Sequence, residues 1–222
     1  VREYIKIETV FKRGEDKKLT EEYRSPEIEY LKDNEWVFTE KIDGTNIRVH
    51  WDGHKVEFGG RTDKAEIPKH ILARLEELFA GTVNEEIFEQ LFADKDVILF
   101  GEGYGERVQT NGYTEFTDNK VDFILFDILV DNKYWLKRDA LEDIAKQLNI
   151  KIVPIVTVGT IEDGIKYVLS ANKTFLQKSG RIQEGIVGKP AVEMQDRNGN
   201  RIIVKIKLQD FNKEWLDKHY NK

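Results

Sequence analysis

Residues 40–46 read Glu40-Lys41-Ile42-Asp43-Gly44-Thr45-Asn46, a lysine flanked by carboxylates and followed by a glycine. The preceding Trp36-Val37-Phe38-Thr39 has the aromatic and β-branched bias of a half-buried strand, so Lys41 is expected where a strand gives way to a turn. A strand end is a stiff platform that presents a side chain to a cleft. An ordinary lysine, with a pKa near ~10.4, is protonated and attacks nothing. In a partly dry pocket beside other cations it gives up its proton more readily and becomes a nucleophile. On its own Lys41 reads as a solvated charge between acids; its company downstream changes that reading.

Working outward, Asn46–Trp51 and Lys55–Phe58 alternate around Asp52-Gly53, which predicts a hairpin returning to Arg61-Thr62. Pro68 with Ile67, Ile71, Leu75, Leu78, Phe79 and Gly81 predicts an amphipathic helix, with a second short helix at about 85–93. Strands are expected over Asp96–Glu102, over Val121–Val130 and over Lys151–Val158. Gly103 and Gly105 predict a turn after Glu102; no suitable helix follows, so this is not a dinucleotide loop. Within Val121–Val130, Phe123 is the better core candidate and Phe126-Asp127 closes the apolar run. Arg138–Leu148 reads as a helix, and Thr160 with Asp163 as the capped start of another. Next come a strand over Glu184–Lys189, a hairpin turning at Asn198-Gly199 into Arg201–Lys207, and a terminal helix capped by Asp210. Period two puts Lys205 and Lys207 on one strand face, where they repel unless an anion or water lies between them. Upstream of Lys41, a strand-like Tyr4–Ile7 and a charged loop fill residues 1–35.

At 222 residues, 40% hydrophobic and 34% charged, the chain is expected to be one compact domain with a real core. No apolar run approaches membrane-spanning length, and the start lacks a signal-peptide pattern. Without cysteine, and with four scattered histidines, a disulfide framework is excluded and a structural zinc site is not expected. These features suit a reducing cytoplasm. A net charge of −6 argues against indiscriminate coating of nucleic acid, although residues 201–222 carry six basic against three acidic side chains.

Five elements in order then acquire a joint meaning. Lys41-Ile42-Asp43-Gly44, Arg61-Thr62, Phe100-Gly101-Glu102, Phe126-Asp127, and Glu184–Lys189 with Lys205-Ile206-Lys207 resemble the successive motifs of the covalent nucleotidyltransferases. The resemblance is closest to the RNA ligase 2 family, whose members carry asparagine two residues after the motif glycine, as Asn46 does. DNA ligases and capping enzymes tend to have arginine there. Asp43 departs from RNA ligases that have histidine at that position. The resemblance spans nearly the whole chain and shows no appended OB domain.

The resemblance implies an α+β nucleotidyltransferase domain over residues 1–222, with two antiparallel sheets, flanking helices and a nucleotide cleft. It implies an ATP-dependent RNA ligase, expected to be monomeric and to act in RNA repair. Lys41 would form a covalent lysyl-AMP intermediate; the adenylate would pass to an RNA 5′-phosphate, and a 3′-hydroxyl would then displace AMP. Lys205 and Lys207 would neutralise the α-phosphate and ease loss of the Lys41 proton. Glu184 would organise Mg2+ or Mn2+, directly or through water. Glu40, Asn46, Arg61, Glu102 and Lys189 would contact the nucleotide, and Phe126 would stack on adenine. Arg107 and Gln109 read as solvated surface rather than RNA contacts. The alternatives are the catalytic domain of an ATP-dependent DNA ligase, a GTP-using capping enzyme, and a nucleotide-binding adaptor that has lost catalysis.

Overall fold

The computed structural model describes residues 1–109, 121–176, 180–211 and 213–219. The strands are, in chain order, β1 (Glu8–Thr9), β2 (Phe11–Arg13), β3 (Leu19–Tyr23), β4 (Trp36–Lys41), β5 (Thr45–Trp51), β6 (Val56–Gly59) and β7 (Val97–Gly105). They continue as β8 (Val121–Val130), β9 (Tyr134–Trp135), β10 (Lys151–Ile152), β11 (Ile155–Gly159), β12 (Gly185–Pro190) and β13 (Val204–Lys207). The helices are α1 (Pro26–Leu31), α2 (Lys69–Phe79), α3 (Thr82–Phe92), α4 (Arg138–Gln147), α5 (Ile161–Leu169) and α6 (Lys213–His219). The chain divides into a first unit, Val1–Ile5 with Asp43–Val153, and a second, Lys6–Ile42 with Pro154–Lys222.

The second unit is built on the sheet β1-β13-β12-β4-β11. Strict alternation in β4 sends Trp36, Phe38 and Glu40 inward and leaves Val37, Thr39 and Lys41 on the other face. The inward face packs against α5, whose Ile161, Ile165 and Val168 join Trp36, Phe38, Ile186, Val204 and Ile206 in one apolar cluster. Thr160 and Asp163 form the expected reciprocal cap at the start of α5. The first unit is built on β10-β8-β7-β5-β6, with β9 paired to β8. The stripe Ile71, Leu75 and Phe79 of α2 buries against Ile47, Val49, Leu99, Phe123 and Leu125. Complete burial of one such side chain contributes about 1.5–3 kcal/mol. Phe123, 1% exposed, is core as expected.

Several local expectations are corrected. Each large sheet is mixed rather than wholly antiparallel, because β1 pairs β13 and β10 pairs β8 in parallel. Residues 151–158 are not one strand: Pro154 has no N–H for a ladder, and the chain leaves one sheet at Ile152 and enters the other at Ile155. Tyr4–Ile7 is not a strand, and the supposed loop before Lys41 contains β1, the β2–β3 hairpin and α1. Ser25 caps α1 through Ile28 N–H. β7 runs on through Gly103 to Gly105 instead of turning after Glu102, since those residues remain paired with β8. The second short helix, α3, starts at Thr82. The terminal helix starts at Lys213, so its capping position lies outside the described residues; Asp210 instead pairs with Arg13 at 2.7 Å. Among the described residues no helix is long and apolar enough to cross a membrane.

Candidate active site

In the second unit, β4, β12 and β13 lie side by side, with Lys41 opposite Gly185 and Gly185 opposite Lys207. The next row holds Thr39, Val187 and Lys205, and Lys189 lies opposite Val37. These residues occupy the face turned away from the apolar cluster, so Lys41, Lys189, Lys205 and Lys207 share one surface of the sheet. Gly185 separates Lys41 from Lys207 without a side chain of its own. A Cβ there would lie 2.1 Å from the Ile206 carbonyl oxygen and 2.8 Å from Lys207 Cα.

Glu184 enters this surface from just before β12. Lys41 Nζ donates to its Oε2 at 2.6 Å, and Lys207 Nζ lies 2.6 Å from its Oε1. Lys41 is 25% exposed and Glu184 18%, so the nucleophile candidate is held at the sheet surface rather than extended into solvent. Burial opposes ionisation of Glu184, but the charges and hydrogen bonds of Lys41 and Lys207 outweigh it and hold its carboxyl below the ordinary value. Lys205 has no carboxylate of its own among the described residues. Its ammonium is pushed below the ordinary value by burial, then by Lys41 and Lys207, with Glu8 opposing. Lys41 and Lys207 thus share one carboxylate, Lys205 stands beside them with none among the described residues, and this face is preorganised for an anion.

Glu40 points the other way. It is 1% exposed, accepts from the Thr174 hydroxyl, and accepts from Phe175 N–H at 3.1 Å. Burial raises its pKa against both hydrogen bonds. In this state its carboxylate ties residues 174–175 to the strand that carries Lys41.

In the first unit, Asn46, Arg48 and His50 of β5 lie opposite Glu102, Phe100 and Ile98 of β7. Asn46 and Glu102, both predicted site residues, are therefore direct cross-strand neighbours. Asn46 Oδ1 is buried with no hydrogen-bond partner among the described residues, an arrangement that calls for an outside donor. Gly44 fits where it does because a Cβ would lie 2.3 Å from the Gly103 carbonyl oxygen and 2.7 Å from Glu102 Cγ. Gln109 donates to the Gly44 carbonyl at 2.8 Å.

Phe126 sits at a register shift. Phe100 pairs with Asp127 but Gly101 pairs with Leu125, leaving Phe126 as the extra residue of a β-bulge. The bulge brings Phe126 and Asp127 to the face that also carries Asn46 and Glu102, whereas uniform alternation would separate the two. Asp127 is fully buried and accepts from the Tyr4 hydroxyl at 2.7 Å.

Arg61 lies exposed just beyond β6. The residue before it, Gly60, is held by Arg48, a side chain that sequence reading missed. Only 1% exposed, Arg48 donates through Nε to the Gly60 carbonyl and through Nη1 to the Val1 carbonyl, each at 2.8 Å. Its Nη2 lies 2.8 Å from Asp63 Oδ1. Arg48 falls with Asn46 and His50 on the polar positions of an alternating strand, so the sequence pattern reads it as a solvated side chain and carries no signal of its burial.

The sequence model of the RNA ligase family matches residues 34–207. The fold is similar to solved structures of a Naegleria gruberi RNA ligase. The structure with PPi is 24% identical at a TM-score of 0.61, over 89% of this chain and 55% of that one. A lysine-to-alanine variant with ATP and Mn is 21% identical at a TM-score of 0.60, over 89% and 54%. A lysine-to-methionine variant with AMP and Mn is 23% identical at 0.59, over 89% and 55%. This chain thus spans about half the length of the solved chains it matches. With more than three quarters of its residues inside the family match, the chain belongs to the RNA ligase family.

Proposed function

We propose that the chain is the nucleotidyltransferase part of an ATP-dependent RNA ligase, its two units forming one domain, with Lys41 as the residue that carries AMP. The observation that supports this reading most directly is the sharing of Glu184 by Lys41 and Lys207, with Lys205 beside them on the same sheet surface. An arriving α-phosphate competes with Glu184 for the two lysines. Lys41 passes its proton to water or to a phosphate oxygen of the nucleotide, and the neutral Nζ attacks the α-phosphorus; a P–N bond forms as the P–O bond to pyrophosphate breaks. An oxygen of an RNA 5′-phosphate next attacks the phosphorus of the adenylate and frees Lys41, and an RNA 3′-hydroxyl finally displaces AMP. Lys205, Lys207 and Lys189 supply fixed positive charge at the phosphates, and such transfers depend mainly on positioning and charge neutralisation.

On the first unit, the unpartnered Asn46 Oδ1 suits a sugar hydroxyl or amine donor, and Glu102 beside it suits ribose. Arg61 is read as a phosphate contact and Phe126 as the adenine platform. Glu40 serves by fixing the strand end rather than by touching the nucleotide, which modifies its role in the initial expectation. The residues fit a divalent cation carried in by the nucleotide phosphates, not one held in a protein cage. Among the described residues no cluster of three or more His, Asp and Glu side chains exists for one. Glu184 would reach such a cation directly or through water, and the cation would supply charge neutralisation at the phosphates. The ATP, AMP, PPi and Mn named for the Naegleria structures agree with this chemistry.

The test is incubation with α-labelled ATP and Mg2+ or Mn2+ followed by a denaturing gel. Label should appear on the protein, vanish in Lys41→Ala, and prove acid-labile and alkali-stable; label retained by Lys41→Ala refutes the assignment. GTP and NAD should compete poorly. Nicked RNA should be sealed faster than nicked DNA, and equal rates would favour the DNA ligase alternative.

A further inference from the structure

We propose that Tyr4 is a positioning residue for the base-stacking platform, acting through Phe126 and Asp127. The inference rests on the reading of Phe126 as the adenine platform, and it concerns a residue outside the family match, which begins at residue 34. Three observations carry it. First, Phe126 is the unpaired residue of the β8 bulge, so the sheet ladder alone does not hold it as firmly as its neighbours. Second, the Tyr4 ring meets the Phe126 ring edge-on, with centroids 5.0 Å apart and planes at 76°. The same ring packs on Phe100 at 5.0 Å and on Trp135 at 5.7 Å, which wedges it between the two strands flanking the bulge and β9. Third, the Tyr4 hydroxyl donates to Asp127 Oδ2 at 2.7 Å, so one side chain grips both residues that the bulge displaces.

The segment bearing Tyr4 is itself anchored to the site. Arg48 binds the Val1 and Gly60 carbonyls with one guanidinium, linking this segment to the one that presents Arg61. Arg2 donates to the Asn132 carbonyl at 3.0 Å and lies over the Trp135 ring at 5.9 Å. Residues 1–4 therefore form a strap across the sheet face that carries Phe126. Edge-to-face packing fixes the tilt of a ring, and a tilted platform loses overlap with a base while phosphate contacts elsewhere are unaffected.

The test compares Tyr4→Phe, Tyr4→Leu and Phe126→Leu with the parent in binding ATP and inorganic tripolyphosphate, and in single-turnover adenylation. Tyr4→Phe should weaken ATP binding about twofold to fivefold, and Tyr4→Leu about threefold to tenfold, the effect of one hydrogen bond and one aromatic contact. Tripolyphosphate binding and the rate at saturating ATP should stay at the parental level, a pattern that general loss of structure would not give. In the Phe126→Leu background, Tyr4→Leu should add nothing, since the two act as a unit. The proposal is overturned if Tyr4→Leu leaves ATP affinity unchanged, weakens tripolyphosphate equally, or adds its full effect to Phe126→Leu. If Phe126→Leu itself binds ATP like the parent, the adenine platform is withdrawn and the proposal with it; if Phe126→Leu weakens ATP and both Tyr4 variants do not, only the role of Tyr4 falls.

Discussion

Replacing Lys205 with methionine should raise the melting temperature of the nucleotide-free protein while weakening its hold on ATP. Lys205 and Lys207 lie two residues apart on one face of β13, about 7 Å along a strand that rises ~3.4 Å per residue. At that spacing and an effective dielectric near 20, two unit charges repel by about 2.4 kcal/mol. Lys41, two strands away in the sheet, adds a smaller repulsion, and Glu184 between Lys41 and Lys207 offsets roughly one charge. Spreading of the flexible heads and the attraction of Glu8 trim the remainder, so about 1 kcal/mol of like-charge strain is expected at neutral pH. Methionine keeps the length and apolar contacts of the stem and removes the charge. For a chain of this size, 1 kcal/mol corresponds to about 2–4 °C in Tm.

The pH dependence has a definite sign. Lys205 in the folded protein binds its proton less tightly than the ordinary value of 10.5. Charging it therefore costs stability: the gap between variant and parent is full at neutral pH and closes as pH rises toward 10.5. The assay is thermal unfolding by circular dichroism at low salt, with and without ATP. Added salt should narrow the gap, and ATP should stabilise the parent more than the variant. A variant that melts at or below the parent without nucleotide would show that this surface is not under like-charge strain, and the anion-site argument would lose its basis.

Glu184→Gln should cost about 1–3 kcal/mol at neutral pH, because Lys41 and Lys207 lose their shared charge. Since the folded carboxyl titrates below its ordinary 4.5, that deficit should persist above pH 4.5 and fade as pH falls further, as read by urea unfolding at several pH values. Glu40→Gln should behave oppositely: burial raises the Glu40 pKa, so the variant should gain on the parent as pH climbs above 4.5 in the same assay. Gly185→Ala should lose on the order of 2–4 kcal/mol, because the obstacles to its Cβ are the backbone of residues 206–207, and lysyl labelling should fall with it; parental Tm and labelling would refute the packing argument.

The sequence by itself determined the strand that ends in Lys41, the face shared by Lys205 and Lys207, the capped start of α5, and the order of the motifs. These follow from local rules, since a period of two, a capping residue and a turn dipeptide act over a few neighbours. Only the tertiary structure decided what depends on partners distant in the chain. Glu184 reaches Lys41 across 143 positions, and Gly185 sits between two lysines because β12 happens to pair with both β4 and β13. The bulge at Phe126 is invisible to a pattern that assumes uniform alternation, because it arises from a mismatch with the register of β7. Arg48 could not be read as a strut until the carbonyls of Val1 and Gly60 came within reach of its guanidinium. Pro154 signalled a break in the chain, but nothing local indicated that the residues before and after it would join different sheets. Pairing partners are chosen by long-range burial and backbone hydrogen bonding, and a linear pattern specifies which face a residue occupies but not which strand will lie beside it.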